Sequence, residues 1–431
     1  MAALLLSSLL LLTLVVRPSS ASCSPALEEK LATYNCTCVQ DNETGSHVIA
    51  SCLNASLVSV PPDLPTTPPF DGLHLEGNSI NYLKNIPYPN VRRVILSNNS
   101  IKCHSDDVFS NFTEVESLVL SKNAFRLEPN MFRGMKSLKM LTLDDNPLYE
   151  LENLTFSGNA TPVLKHLSIS NCRLSQSAPF AFHKLQQLEV LDASHNRLSA
   201  PIILNEAPSL HTLNLSYNWI DDLSALPSTG VEQVVILHLD HNRLTSISAS
   251  VFQGLSKLKV VALSYNQLAE IHPATFDNLL NLNTIYLDHN ELKTFQLNDE
   301  HLTSLHQLQV HHNRWHCGCE IGWMRDHDKV KEFNPPEQML CDSPYSVHGQ
   351  SLFEVDIHKF DCPGMHHGLH NNAIALALGI VVSVIIMVAL SFLIYRFILK
   401  QKKSRGNVAN YQEVDWGQSE DRYEDRLNNH L

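Results

Sequence analysis

The side chains with most scope for chemistry are ten cysteines and 23 histidines in 431 residues. Eight of the cysteines fall into two groups of four: Cys23, Cys36, Cys38 and Cys52, then Cys317, Cys319, Cys341 and Cys362. A group of four can hold zinc as thiolates or close into two disulfides, and sequence alone allows three pairings per group. An oxidising compartment favours the disulfides. Aromatic rings also recur: His195, Tyr217, His241, Tyr265, His289 and His312 stand at steps of 22, 24, 24, 24 and 23, each just before an asparagine. His306, His311 and His312 are close enough in sequence to ligate a metal together, although no metal site is assigned to them.

Other chemistry is missing. There is no nucleophile motif, phosphate loop or zinc-protease helix. No enzyme activity and no cofactor are therefore expected. The net charge of −13 gives no general pull toward nucleic acid. A hydrophobic fraction of 44% excludes global disorder and supplies a sizeable core.

The spacing of the rings belongs to a longer pattern. LxxLxLxxNxL recurs from Phe70, with Asn78, Asn99, Asn123, Asn146, Cys172, Asn196, Asn218, Asn242, Asn266, Asn290 and Asn313 at one position in eleven copies. The steps run from 21 to 26 residues, within the range of leucine-rich repeats. Each LxL segment should be a short strand, and copies should stack because one repeat cannot bury its apolar face. The asparagine should turn inward and bond backbone groups left unpaired at the bend. Cys172 should tie its turn less well. Phe109, Phe132, Phe182, Phe252 and Phe276 should form a buried aromatic column. The expected fold class is an α/β leucine-rich repeat solenoid, a horseshoe with a parallel β-sheet on its concave face.

A solenoid needs caps, and the two cysteine groups flank the repeats, the second opening with Trp315 in WHCGC. Over about residues 23–362 the chain resembles extracellular leucine-rich repeat proteins with cysteine-rich caps. It is similar to single-pass neuronal adhesion proteins and, over Asn146–Gly158, to trophoblast glycoprotein. The resemblance implies the bonds Cys23–Cys38, Cys36–Cys52, Cys317–Cys341 and Cys319–Cys362. Cys103 and Cys172 are left over. Three strand spacings of about 4.8 Å keep them apart, so Cys172 should be a buried free thiol.

The ends suggest the compartment. Ala2–Val16 is apolar and uncharged, and Ser19-Ser20-Ala21 offers small residues, so residues 1–21 read as a signal peptide. Ala373–Tyr395 is 23 residues without a charge, followed by Arg396, Lys400, Lys402, Lys403 and Arg405. That reads as a transmembrane helix with its basic flank in the cytoplasm. The organisation is then signal peptide 1–21, amino-terminal cap 22–69, repeats 70–312, carboxy-terminal cap 313–363, stalk 364–372, span 373–395 and cytoplasmic tail 396–431. The expected location is the plasma membrane, single-pass type I, amino terminus outside. In that setting eight Asn-x-Ser/Thr triplets are glycan acceptors: Asn35, Asn42, Asn54, Asn98, Asn111, Asn153, Asn159 and Asn214. In the tail, Tyr411-Gln-Glu-Val414 fits a Tyr-x-x-apolar sorting signal.

Function follows from the surface these elements present. In register the Tyr/His column lines one rim of the concave sheet, with His238 and Tyr286 beside it, where triplets for sugar are absent beyond residue 220. Tyr217, His238, His241, Tyr265, Tyr286 and His289 are the candidate ligand-contacting residues, since aromatics are enriched in interface cores. An imidazole-lined contact could respond to mild acid. The expectation is a recognition or adhesion receptor that binds a protein ligand or neighbouring surface protein, itself open to homo-oligomer formation. The alternative is a co-receptor that sequesters another receptor's ligand or alters its traffic.

Overall fold

A computed structural model describes residues 23–360 apart from 41–46, 67–69, 84–85, 103–107, 130, 158, 205, 225 and 227–231, together with 362, 383–398 and 400. The chain divides into two units, Met1–Asp361 and Cys362–Leu431. In the first, thirteen strands form one sheet whose strand order is the chain order. They are β1 (Thr37–Gln40), β2 (Val48–Ser51), β3 (Gly72–His74), β4 (Arg93–Ile95), β5 (Ser117–Val119), β6 (Met140–Thr142), β7 (His166–Ser168), β8 (Val190–Asp192), β9 (Thr212–Asn214), β10 (Ile236–His238), β11 (Val260–Ala262), β12 (Thr284–Tyr286) and β13 (Gln307–Gln309). β1 and β2 pair antiparallel, and β2 pairs parallel with β3. All later neighbours are parallel. The sheet thus runs unbroken across the 69/70 boundary drawn from the sequence.

Strands of three residues cannot stand alone. Their middle residues, among them Leu141, Leu167, Leu191, Leu213, Leu237 and Val261, align in register and are buried. The residues on either side emerge on the open face, apart from the buried Gly72 and Ala262. Burying each middle side chain against the repeats before and after it drives the stacking.

The asparagine ladder holds the turns. Asn266 donates its amide protons to Leu263 O (3.1 Å), Ser264 O (3.3 Å) and, one turn back, Leu239 O (3.0 Å). Its Oδ1 accepts the Leu244 N–H at 3.1 Å. Asn78, Asn99, Asn123, Asn146, Asn218, Asn242, Asn290 and Asn313 repeat this arrangement. Cys172 departs from it as expected: its thiol reaches Leu143 O at 3.3 Å and Ser170 O at 3.4 Å. No amide oxygen is there to receive Leu148 N–H, which is shared between the Asn146 carbonyl at 2.9 Å and the Cys172 carbonyl at 3.0 Å. The thiol is free and buried, and burial pushes it up to about 12.

The phenylalanines stack in two runs rather than one column. Phe109, Phe132, Phe156 and Phe182 stack with centroids 5.6–6.1 Å apart, and Phe252 stacks on Phe276 at 6.0 Å. The run breaks after Phe182 because the matching position nine residues before the next strand leucine is Leu204, an aliphatic residue that is fully buried.

Disulfides close both ends. Cys23 is bonded to Cys38, Cys36 to Cys52 and Cys317 to Cys341. Cys319 and Cys362 are both disulfide-bonded. At the amino end the helix α1 (Pro25–Ala32) lays Leu27 and Leu31 into the core, its first turn capped by Ser24. At the carboxy end Trp315 is fully buried, and the helices α2 (Gly322–Asp326) and α3 (Asp328–Phe333) follow. Directly after α3, buried Asn334 donates to Leu308 O and Val330 O and accepts the Val310 and His311 N–H groups. It completes the ladder from outside the repeat pattern.

In the second unit residues 383–398 are helical. Among the described residues no helix is long and apolar enough to cross a membrane. Residues 373–382 of the apolar run lie outside the described residues, as do the signal peptide, Asn42, Cys103, the stalk 364–372 and the tail with Tyr411 and Val414.

Candidate protein-binding face

The position before each ladder asparagine has left-handed backbone. His195, Tyr217, His241, Tyr265 and His289 all have φ of 55°, and His312 has 52°. Earlier repeats place Gly77, Asn98, Lys122, Asp145 and Asn171 there, with φ between 52° and 73°. Repeating one backbone conformation at each strand step sets the side chains parallel. The six rings therefore form one continuous stack. Centroids from His195 through Tyr217, His241, Tyr265 and His289 to His312 are 4.2, 4.0, 4.3, 4.1 and 4.2 Å apart, with planes inclined by 9–16°. Tyr217 and Tyr265 remain 44% and 45% exposed, so the stack is surface rather than core.

His238 and Tyr286 lie beside it on the open face, as the last residues of β10 and β12. The register places Ala262, which is buried, between them. His238 approaches Asp240 at 3.8 Å, and the Tyr286 hydroxyl donates to Gln307 Oε1 at 3.1 Å. All six candidate residues thus share one face. His306 does not join the other histidines: it is exposed and its Nδ1 lies 3.0 Å from Ser304 O. His289 takes its place beside His311 and His312. Burial pulls both His311 and His312 below the ordinary imidazole range, and neighbouring imidazoles add to this while Asp288 opposes it.

Two features of this face escape the sequence pattern. Trp219, 44% exposed, carries the guanidinium of Arg243 at 4.7 Å and that of Arg197 at 5.7 Å from its ring centre. The signal was available, since the residue after the ladder asparagine is Arg173, Arg197, Trp219 and Arg243 in four successive repeats. The second concerns the Asn-x-Ser/Thr triplets. Asn35, Asn54, Asn98, Asn111, Asn153 and Asn159 are exposed. Asn214 instead ends β9 on the open face, in register with His238, and its Oδ1 accepts from Ser216 N and Oγ. A sugar on Asn214 would stand at the amino-terminal edge of the candidate face. Farther toward the amino terminus the opposite rim carries charges that pair with each other, Lys139 with Glu116 at 2.8 Å and Lys165 with Glu189 at 2.7 Å.

Comparison with known proteins agrees with this architecture. The family model described as leucine rich repeat matches residues 89–148, 232–292 and 259–314. Models for two copies and for one copy match residues 186–228 and 163–185. The chain belongs to the leucine-rich repeat family. Among curated relatives, Tsukushi of Gallus gallus is 34% identical over 141 residues, covering 32% of this chain and 36% of the relative. Adenylate cyclase of Schizosaccharomyces pombe is 30% identical over 142 residues, covering 32% of this chain and 8% of that protein. The matches thus span under half the length of these relatives. Among solved structures, a chain of the Drosophila Toll–Spatzle complex aligns with a TM-score of 0.54 at 20% identity, covering 70% of this chain and 53% of that one. A chain of the octameric complex of Latrophilin 3, Unc5D and FLRT2 aligns at 0.52 and 21% identity, covering 76% of this chain and 99% of that one. At such identity these likenesses concern the fold.

Proposed function

We propose that the chain is a cell-surface glycoprotein, single-pass and type I, whose leucine-rich repeats bind a protein ligand or a neighbouring surface protein across the open sheet face. The observation that carries this reading is the exposed six-ring stack. Stacked rings are already immobilised, so a partner that packs on them costs little further side-chain entropy. Tyrosine also presents a broad apolar face with a hydroxyl at its edge, which suits an interface core. Support comes too from the fold, which in the Toll–Spatzle complex belongs to a protein bound to another protein. The apolar run 373–395 with its five following cations supports the membrane span and its orientation.

The test is a double substitution in the full chain displayed on cells, screened against a library of secreted and cell-surface proteins at pH 7.4 and 5.5. Tyr286→Ala removes one ring from the open face. Tyr265→Asn removes another while keeping a residue type that the same left-handed position already holds at Asn98 and Asn171. The double variant should lose the partner that the parent captures, with surface level unchanged. Partner binding intact at both pH values would exclude this face as the site.

A further inference from the structure

The carboxy-terminal end of the ring stack differs from the rest. There His289, His311 and His312 bring three imidazole nitrogens within 4.8 Å of one another. We propose that these three histidines form a binding site for a divalent transition-metal ion of the zinc and copper class. Imidazole is the protein ligand that such ions share. The site is made by two adjacent repeats, because His289 follows β12 while His311 and His312 follow β13.

The geometry fits in several particulars. His311 Nδ1 and His312 Nδ1 are 2.8 Å apart, and their rings are nearly perpendicular at 77°. Two nitrogens that close cannot both carry a proton, so one lone pair is already directed into the gap. Ligands of one tetrahedral zinc ion at about 2.0–2.1 Å stand about 3.3 Å apart, so these two nitrogens need part by only about 0.5 Å to share an ion. His289 Nδ1 lies 2.9 Å from Asp288 Oδ2. Its Nδ1–H therefore donates to the carboxylate and its Nε2 keeps a lone pair for the metal, as in the carboxylate–histidine–metal arrangement. Asp288 is itself held, since its other oxygen accepts from Ser264 Oγ at 2.5 Å. It is a positioning residue. One rearrangement is required. His289 and His312 lie face to face at 4.2 Å with planes 16° apart, whereas lone pairs lie in the ring plane. The exposed His312 ring must turn to share an ion with His289, so metal binding breaks the last step of the stack. Water occupies the remaining coordination positions, on the solvent side.

Cobalt(II) titration of the full chain in detergent tests the site, because a histidine-ligated cobalt ion has visible d–d bands that zinc abolishes by displacement. The folding-neutral variants are at hand in neighbouring repeats: His289→Asn and His312→Asn copy Asn98 and Asn171, and His311→Ser copies the serine at 97, 170, 194, 216 and 264. The parent should bind one ion, and the triple variant should lose the bands. Asp288→Asn should weaken the affinity by about 10–100-fold, the usual cost of a lost second-layer partner. His306→Ala should change nothing. Failure of the parent to bind cobalt, or undiminished bands in the triple variant through histidines elsewhere such as His366, His367 and His370, overturns the proposal.

Discussion

Replacing Asn266 with alanine removes one rung of the ladder and isolates its contribution. In the folded chain that side chain serves four backbone groups: the carbonyls of Leu239, Leu263 and Ser264, and the N–H of Leu244. A buried group left without a partner costs about 1–3 kcal/mol, which bounds the loss at about 12 kcal/mol for four. The bound is too high, because Asn266 is 8% exposed and water can enter the space left by the amide. About 3 kcal/mol remains, at the upper end of what single substitutions cost, where broken buried networks fall. The control is Cys172→Ala, at the matching position just past the middle of the sheet, after β7 of thirteen strands. Its thiol makes two weak contacts at 3.3 and 3.4 Å, so the expected loss is about 1 kcal/mol, from the small cavity and sulfur contacts. Urea unfolding followed by circular dichroism on both full-length variants gives the comparison. Asn266→Ala should lower the midpoint well below that of Cys172→Ala. Equal midpoints would mean that apolar stacking, not the ladder, holds the turns, and the reasoning would fail.

Cys319→Ala or Cys362→Ala should stop delivery to the cell surface, since an end bond worth about 2–5 kcal/mol is lost and the last repeat is uncovered; normal surface staining would reject this. The Cys172 thiol, pushed up to about 12 by burial, should resist iodoacetamide at pH 8 in the native chain and react only in denaturant. Peptide mapping that finds native labelling would contradict its burial. Burial also raises the Asp144 carboxyl above its ordinary range, with Asp192 and Asp145 adding to it against hydrogen bonds from Ser168 and Ser170. The folded chain thus holds that proton more tightly than the unfolded one, which favours the fold at low pH and is lost as pH rises above the usual carboxylate value. Asp144→Asn should accordingly raise the melting temperature more at pH 7 than at pH 4, and an equal change at both would refute the assignment. An epitope tag after Ser22 should stain on intact cells and one after Leu431 only after permeabilisation; the reverse pattern would overturn the proposed type I topology.

Much of this molecule is written in local periodicity. A repeat contacts chiefly its neighbours, so a side chain's surroundings follow from its phase in the LxxLxLxxNxL unit. That is why the ladder asparagines, the buried strand leucines, the free Cys172 and the shared face of Tyr217, His241, Tyr265 and His289 are all legible without coordinates. The cysteine pairings came from likeness to capped repeat proteins, since spacing leaves several open. What periodicity cannot supply is anything that breaks phase. Asn334 closes the ladder from a segment with no repeat motif, because the last turn's backbone groups need a partner and the cap folds one over them. Trp219, by contrast, is in phase with Arg197 and Arg243, each one residue after a ladder asparagine, but the consensus does not name that position and only the folded repeats show the three side chains meeting on the surface. Proximity in sequence pointed to His306 as the companion of His311 and His312. The tertiary structure chose His289 instead, because stacking brings residues one repeat apart to within about 5 Å, whereas the five residues from His306 to His311 run across the sheet from one rim to the other.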